Sequence, residues 1–436
     1  MVHQVVEAVG RLSGCTAADY GVSRELEGMS NMSKRMNKND IRNKSDWQKI
    51  PFGQIADFRN GINFLRKDFG HTVKIVGVSD FQDRYVCDLS NLETVSISKP
   101  SNNEDMVREG DLLFVRSNGN KNLIGRCLLV PKISEPISHS GFTIRARIKN
   151  DSVIPEYVNL QMRTSLIRNQ IFTEGGGTNI SNLSQEILQR LLIPLPSKSE
   201  QKAIVDVLRV WDELALNLRK LIGCKIKTKQ GLMQQLLTGK RRFPGCKGEW
   251  KKIRLGKLFL ERDEINRPDL PLLSITSEKG IIPHSEMGRK DSSNEDKSLY
   301  KRIAVGDIGY NTMRMWQGVS ALSPLEGLVS PAYTICIPGP DAYGPFIAQL
   351  FKYPEVVHQF YRHSQGLVSD TLNLKFCNFA EIQVNVPDVF EQKKIASFFE
   401  SVDNEIQKLN EYLQVLQIQK KGLMQKLLTG KIRVKT

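Results

Sequence analysis

Cysteine, aromatic residues and long apolar runs are all scarce in this chain, and each scarcity removes a class of protein. The seven cysteines, at positions 15, 87, 127, 224, 246, 336 and 377, are odd in number and widely scattered, with no C-x-x-C pair and no Cys/His cluster at zinc spacing. That excludes a disulfide scaffold and a zinc module, and leaves reduced, structural thiols. No run of eighteen apolar residues occurs, and the first thirty residues lack the basic start and apolar core of a secretory signal. The expected location is therefore the cytoplasm, with no membrane partner. With 40% hydrophobic and 25% charged residues over 436 positions, the chain is globular in composition and long enough for two or three domains.

Catalytic motifs are missing as well. There is no G-x-x-x-x-G-K-[ST] phosphate loop, no Asn-Pro-Pro-aromatic tetrapeptide, no H-E-x-x-H and no G-x-G-x-x-G following a strand. Gly175-Gly-Gly-Thr178 lacks a P-loop lysine and reads as a turn, and Glu249-Trp-Lys251 is too common a triplet to mark a nuclease. The six histidines are dispersed; His358 and His363, five apart, do not share a helical face. No catalytic residue, metal ligand or cofactor is assigned to this chain.

What is present is a basic excess with a definite address. The net charge is +15, and residues 219–247 (nine Lys/Arg) and 412–436 (six) contain no acidic residue, so these two segments hold the whole excess. Two separated basic segments on an otherwise neutral protein fit a polyanion touched at two places. Lysines gathered at helix C-termini by the dipole give the same tally.

The strongest signal is internal. Residues 200–240 and 391–431, offset by 191, match at 16 of 41 positions, ending in Gly231-Leu-Met-Gln-Gln-Leu-Leu-Thr-Gly-Lys240 and Gly422-Leu-Met-Gln-Lys-Leu-Leu-Thr-Gly-Lys431. The same offset superposes Pro196 on Pro387, Asn182-Leu183 on Asn373-Leu374 and Phe142-Thr-Ile144 on Tyr333-Thr-Ile335. Further upstream the register shifts: Trp47-Gln-Lys-Ile resembles Trp250-Lys-Lys-Ile, and Gly110-Asp111 resembles Gly306-Asp307. The chain is two copies of one unit, each a divergent stretch of some 140–150 residues followed by a similar stretch of about forty.

The similar stretches predict long helices. Val402, Leu409, Leu416 and Leu423 repeat every seven residues beside Phe399, Ile406, Leu413 and Leu427. Ile204, Leu208, Trp211, Leu214, Leu218 and Leu221 do the same in copy one, until Lys225–Gln230 interrupts the seam. Each helix follows a proline and closes on Thr-Gly-Lys, where Gly239 and Gly430 suit the left-handed cap. Forty residues make a rod of ~60 Å. Each rod lacks a sequential neighbour, so antiparallel packing of one on the other, with a pseudo-twofold, is expected. Parallel packing within a dimer is the alternative.

The divergent stretches predict short strands (Val73–Val78, Asp111–Val115, Cys127–Val130, Phe142–Ile148, Leu272–Ile275, Ala332–Ile337) and one useful helix each, near Glu156–Phe172 and Tyr343–His363. The expected fold class is α+β: two mixed α/β domains separated by two long helices packed as an antiparallel coiled coil. The expected segments are a loosely ordered extension (1–46, with Met29, Met32 or Met36 a candidate start), a first domain (47–198), a helix and linker (199–249), a second domain (250–389) and a second helix (390–436).

This organisation resembles the specificity subunits of type I restriction–modification systems. The resemblance rests on the two Pro…Glu-Gln-x-x-Ile entries (Pro196/Glu200/Gln201/Ile204 and Pro387/Glu391/Gln392/Ile395), the twin helix endings, the starts at Trp47 and Trp250, and Gly306-Asp-Ile-Gly-Tyr-Asn-Thr-Met-Arg-Met-Trp-Gln317. It runs from about residue 47 to the end, and copy one has no clear Met-Arg-Met-Trp counterpart. The resemblance implies that each divergent stretch is a target-recognition domain reading one half of a split, asymmetric double-stranded DNA site, with the helix pair as a ruler. It implies a non-catalytic chain joined by two methylation subunits, which bind S-adenosylmethionine and methylate adenine, and by two ATP- and Mg-dependent motor–nuclease subunits.

Within that frame, base contact is expected from Arg116, Asn118, Asn120 and Lys121 in copy one, and from Asn311, Arg314 and Gln317 in copy two, with Trp316 stacking or packing. Lys240, Arg241, Arg242 and Lys431 are expected to meet phosphates without regard to sequence. The competing readings are a coiled-coil adaptor whose basic ends serve only the helices, and a DNA-modifying enzyme acting alone.

Overall fold

The computed structural model describes residues 47–434 apart from 65–70, 83, 98–102, 175–181, 277–278, 288–295 and 369–370. The expected N-terminal extension and the Gly175–Thr178 turn lie outside the described residues. Copy one runs β1 (Gln48–Pro51), α1 (Phe52–Ile55), β2 (Ala56–Asn60), β3 (His71–Val76), β4 (Glu93–Ile97), β5 (Leu112–Val115), β6 (Cys127–Leu129), β7 (Ile137–His139), β8 (Thr143–Ile148), α2 (Pro155–Gln161), α3 (Ser165–Glu174), α4 (Gln185–Arg190) and β9 (Leu192–Leu195), and leads into the long α5 (Lys198–Leu236). Copy two runs β10 (Lys251–Arg254), α6 (Leu255–Leu258), β11 (Phe259–Glu261), β12 (Leu273–Thr276), β13 (Gly280–Pro283), β14 (Lys301–Ile303), β15 (Ile308–Asn311), β16 (Ser320–Leu322), β17 (Gly327–Val329), β18 (Tyr333–Pro338), α7 (Gly344–Leu350), α8 (Pro354–His363), α9 (Phe376–Glu381) and β19 (Gln383–Val386), then α10 (Val389–Leu428).

The same plan recurs in both copies. The strand after each tryptophan pairs antiparallel with the last strand of its copy, β1 with β9 and β10 with β19. Each copy then has a four-stranded antiparallel sheet, β2-β8-β5-β6 and β11-β18-β15-β16. Where the copies diverged, one adds the three-stranded β4-β3-β7 and the other the pairs β12-β13 and β14-β17.

Strand β5 shows why the apolar runs are unbroken. Leu112 and Phe114 face one cluster with Phe52 and Ile144, while Leu113 and Val115 face another with Val76 and Val130. Both faces of the strand are covered, so every position is apolar. In β15 the corresponding position is Gly309, where a Cβ would lie 2.4 Å from Ile275 Cδ1. The backbone approaches the second cluster too closely for a side chain.

The Gly-Asp pair preceding each of these strands is also explained. Gly110 and Gly306 turn with φ of 85° and 91°, the left-handed region open to glycine. Buried Asp111 accepts the Arg108 backbone N–H at 2.7 Å and both arms of Arg147 at 2.8 and 2.6 Å. Buried Asp307 accepts the Ala304 N–H at 2.8 Å and both arms of Arg262 at 2.6 and 3.1 Å.

The helix expected in each divergent stretch is two helices. Copy one breaks at Thr164, whose hydroxyl donates to the Gln161 carbonyl at 2.7 Å and leaves the following turn to restart. Copy two breaks where Pro354 begins α8, since proline supplies no N–H and disfavours helix at the residue before it.

The chain forms two compact units, one comprising residues up to Arg219 together with those from Glu411 onward, the other Lys220–Asn410. Each unit holds the start of one long helix and the end of the other. In the first, Ile204 and Leu208 of α5 share a buried cluster with Leu427 and Leu428 of α10. In the second, Leu236 and Leu237 share one with Ile395 and Phe399. Residue partners descend along one helix as they ascend along the other (Lys225 with Glu405, Lys229 with Asp403), so the pairing is antiparallel. These two lysines lie in the polar interruption of the α5 seam, which is thus closed by ion pairs without breaking the helix. No helix among the described residues is long and apolar enough to cross a membrane.

Candidate nucleic-acid interface

The two loops chosen from sequence occupy the same place in their domains. Arg116–Leu123 follows β5 and Thr312–Gln317 follows β15, each leading through a 3-10 turn (Lys121–Leu123, Met315–Gln317) to the next sheet strand. The anchoring is shared. Arg116 N–H donates to the Phe142 carbonyl at 2.8 Å and its own carbonyl accepts the Leu183 N–H at 2.7 Å; Thr312 N–H donates to Ala332 at 3.1 Å and its carbonyl accepts the Leu374 N–H at 2.9 Å. The leucines of the repeated Asn-Leu pairs are therefore latches that fix the loop entries. Copy one does have a structural counterpart of the Met-Arg-Met-Trp loop, though not a sequence counterpart.

Inside the loops the asparagines shape backbone. Asn118 Oδ1 accepts the Asn120 N–H at 2.7 Å, Asn120 Oδ1 accepts the Asn122 N–H at 3.1 Å, and Asn311 Oδ1 accepts the Met313 N–H at 3.0 Å. These are Asx turns. The oxygens are engaged in shaping the loops. Arg116 is half-buried, its Nη1 3.4 Å from the Gly141 carbonyl. Trp316 is half-buried: its Nε1 donates to the Met313 carbonyl at 3.0 Å and its ring meets Tyr361 edge-on. Arg314, Gln317 and Lys121 stand exposed. Buried Met315 pins the turn between them, and Lys352 Nζ holds the loop exit through the Gly318 and Ser320 carbonyls at 2.6 and 2.8 Å.

The basic helix ends divide into two kinds. Lys240, Arg241 and Lys431 are exposed. Arg242 is committed elsewhere: it donates from Nε and Nη2 to the two oxygens of fully buried Glu391 at 3.0 and 2.5 Å. Its counterpart at the 191 offset, Arg433, grips Glu200 with the same two-armed geometry. A guanidinium so paired positions a helix start and is not the free cation expected of it.

Sequence reasoning missed the partners that make the repeat. Gln201 Oε1 accepts the Ile154 N–H at 2.9 Å while its Nε2 donates to the Ser152 and Pro196 carbonyls at 3.1 and 3.0 Å. Gln392 does the same to Tyr343 N–H at 2.8 Å and to Asp341 and Pro387, both at 2.9 Å. Each glutamine joins its long helix to the start of a sheet-domain helix, α2 or α7. Two further identities of the repeat, Asp212/Asp403 and Lys229/Lys420, form the pairs Lys420–Asp212 and Lys229–Asp403. The signal was available as residues identical across the offset that fall outside the apolar seam.

Known proteins resemble this chain. The family described as type I restriction modification DNA specificity domain matches residues 44–227. A Methanocaldococcus jannaschii protein bearing the name MjaX type I restriction enzyme specificity subunit is 25% identical over 395 residues, 81% of this chain and 89% of its own. The MjaVIII specificity subunit of the same organism is 24% identical, covering 77% of this chain and 82% of its own. A solved chain from work on complex assembly and conformational transition of the type I R-M system superposes with a TM-score of 0.58 at 16% identity, covering 89% of this chain and 99% of that one. The family model covers the first copy, which the second repeats, and the relatives extend over most of the chain, so its likeness is to the specificity subunits of type I restriction–modification systems.

Proposed function

We propose that this chain is the DNA-reading subunit of its system, with residues 47–198 and 250–389 as target-recognition domains that each read one half of a split, asymmetric duplex site. The observation that carries the reading is the pair of equivalent loops after β5 and β15, fixed by the same latches yet different in sequence. One scaffold with two different reading edges suits two different half-sites. Exposed Arg314 and Gln317 are the base-reading side chains of copy two, since arginine and glutamine offer bidentate partners to guanine and adenine in the major groove. In copy one Arg116 and the amides of Asn118 and Asn120 serve, with Lys121 on the backbone. Trp316 supports its loop by packing. Lys240, Arg241 and Lys431 neutralise phosphates.

The chain itself is a non-catalytic subunit. Its paired helices hold two methylation subunits, which carry S-adenosylmethionine, and recruit two ATP- and Mg-dependent restriction subunits; the helix pair sets the interval between half-sites. The test is a map of N6-methyladenine in a host expressing the neighbouring methylation subunit with and without this chain. A new split asymmetric motif that requires the chain is expected. A complex that co-purifies, binds its cofactor and yet adds no methylation would overturn the DNA-reading assignment in favour of an adaptor.

A further inference from the structure

The first unit contains a cavity of about 410 Å³ whose wall includes Arg84, Arg126, Arg163, Arg168, Tyr85 and Phe172; none of the described residues lining it is acidic. Nothing in copy-one base reading uses it. Its centre is built and not incidental. The Arg163 guanidinium lies 3.6 Å above the Tyr85 ring, and buried Asn159 donates to the Tyr85 carbonyl at 3.0 Å, anchoring the backbone that carries the ring. Arg163 Nε is buried and has no hydrogen-bond partner, which leaves a desolvated cation awaiting an acceptor. Burial pulls the Arg163 pKa below its ordinary value, the mark of a charge without full compensation. Arg168 is exposed beside Phe172, 5.9 Å from its ring, and exposed Arg84 is paired at 3.0 Å with half-buried Asp88. Arg126 donates to the Gln82 carbonyl and frames the floor.

Planar guanidinium groups match phosphate oxygens two at a time, and an aromatic wall accepts the face of a base. A cavity of this size accommodates a nucleotide. We propose that this cavity is a nucleotide-phosphate site in which Arg84, Arg163 and Arg168 take the phosphate and the wall formed with Tyr85 and Phe172 takes the base. Its occupant is a nucleotide, either free or within a DNA strand.

The test is calorimetric titration of the full-length protein with AMP and, at the same ionic strength, with adenosine. AMP binds and adenosine binds at least about tenfold more weakly, the weight of charge-assisted hydrogen bonds to phosphate. The double variant Arg84→Gln/Arg168→Gln, both at exposed positions, keeps the wild-type unfolding midpoint and loses AMP affinity by a similar factor. Absence of AMP binding, equal affinity for adenosine, or full AMP affinity in the variant would overturn the proposal. Saturating duplex DNA then separates the sources: displacement of AMP identifies a strand nucleotide as occupant, and undiminished AMP binding identifies a free one. The AMP arm involves no sequence recognition, so its failure is distinct from failure of the DNA-reading assignment.

Discussion

Gln201 and Gln392 make three hydrogen bonds each in buried surroundings, to backbone groups that have no other use there. A Gln201→Ala substitution strands the Ile154 N–H and opens a small void, so a loss of about 2–4 kcal/mol is expected in urea unfolding of the first unit. His139 couples stability to pH. Burial holds its pKa down at about 3, against an ordinary 6.5, and its Nδ1 meets Thr143 Oγ1 at 2.9 Å. The folded state thus binds fewer protons than the unfolded one between those values. Its contribution is fully present above pH 6.5 and declines as pH falls toward 3. Wild-type protein should lose about 2 kcal/mol more than His139→Gln between pH 7 and pH 5, measured as the difference in urea midpoints. Arg314→Ala should cost about 1–3 kcal/mol at one half-site and leave the other unaffected in binding to duplexes with single-half changes. Uniform loss at both halves would place Arg314 on phosphate or outside the interface.

At the scale of elements, the long helices end as their sequence demands. Gly239 and Gly430 both take φ 69°, and the Arg241 and Ile432 N–H groups reach back to the Gln235 and Lys426 carbonyls at 3.0 and 3.2 Å. These bonds reach back over the left-handed glycine to the last turn and close the helix end. A Cβ on Gly239 would sit 3.1 Å from Trp250 Cε2. Gly239→Ala therefore combines left-handed strain with a crowded indole, and a loss of about 1–3 kcal/mol by thermal or urea unfolding is expected. The helix starts, Ser197-Lys-Ser-Glu200 and Asp388-Val-Phe-Glu391, carry the capping spacing, and Ser197 Oγ and Asp388 Oδ1 accept the third N–H at 3.3 and 2.9 Å. The glutamates, however, turn away from the cap to Arg433 and Arg242. Helix ends, strands β3, β5, β6, β8, β12 and β18, and the antiparallel pairing were legible because they depend on local geometry and apolar periodicity. The split of each domain helix was not, because Glu156–Phe172 keeps an apolar pattern across a turn that a single threonine side chain makes.

For the whole molecule, the basic excess is the property with a bulk readout. Three of the four helix-end cations are exposed, and Arg242 is not among them. Replacing Lys240, Arg241 and Lys431 with glutamine should flatten the plot of log affinity against log salt by about 0.9 for each phosphate no longer neutralised. The same change at Arg242 should alter stability and leave the slope in place. Affinity for duplexes of any sequence, measured from low to moderate salt, checks both.

The candidate site was half legible in the same sense. Sequence placed the two candidate loops after their strands, and placed basic residues after each helix. It did not reveal that the Asn118, Asn120 and Asn311 oxygens are used up in turns, that Trp316 spends its N–H on Met313, or that Arg242 belongs to Glu391. The duplication, the helix lengths and their glycine stops follow from the sequence alone, since period and backbone preference are properties of neighbouring residues. Which polar side chain is free was decided only by tertiary structure. A hydrogen-bonding partner 149 residues away, as Glu391 is from Arg242, is invisible until the chain has folded and brought one helix end to the other's beginning.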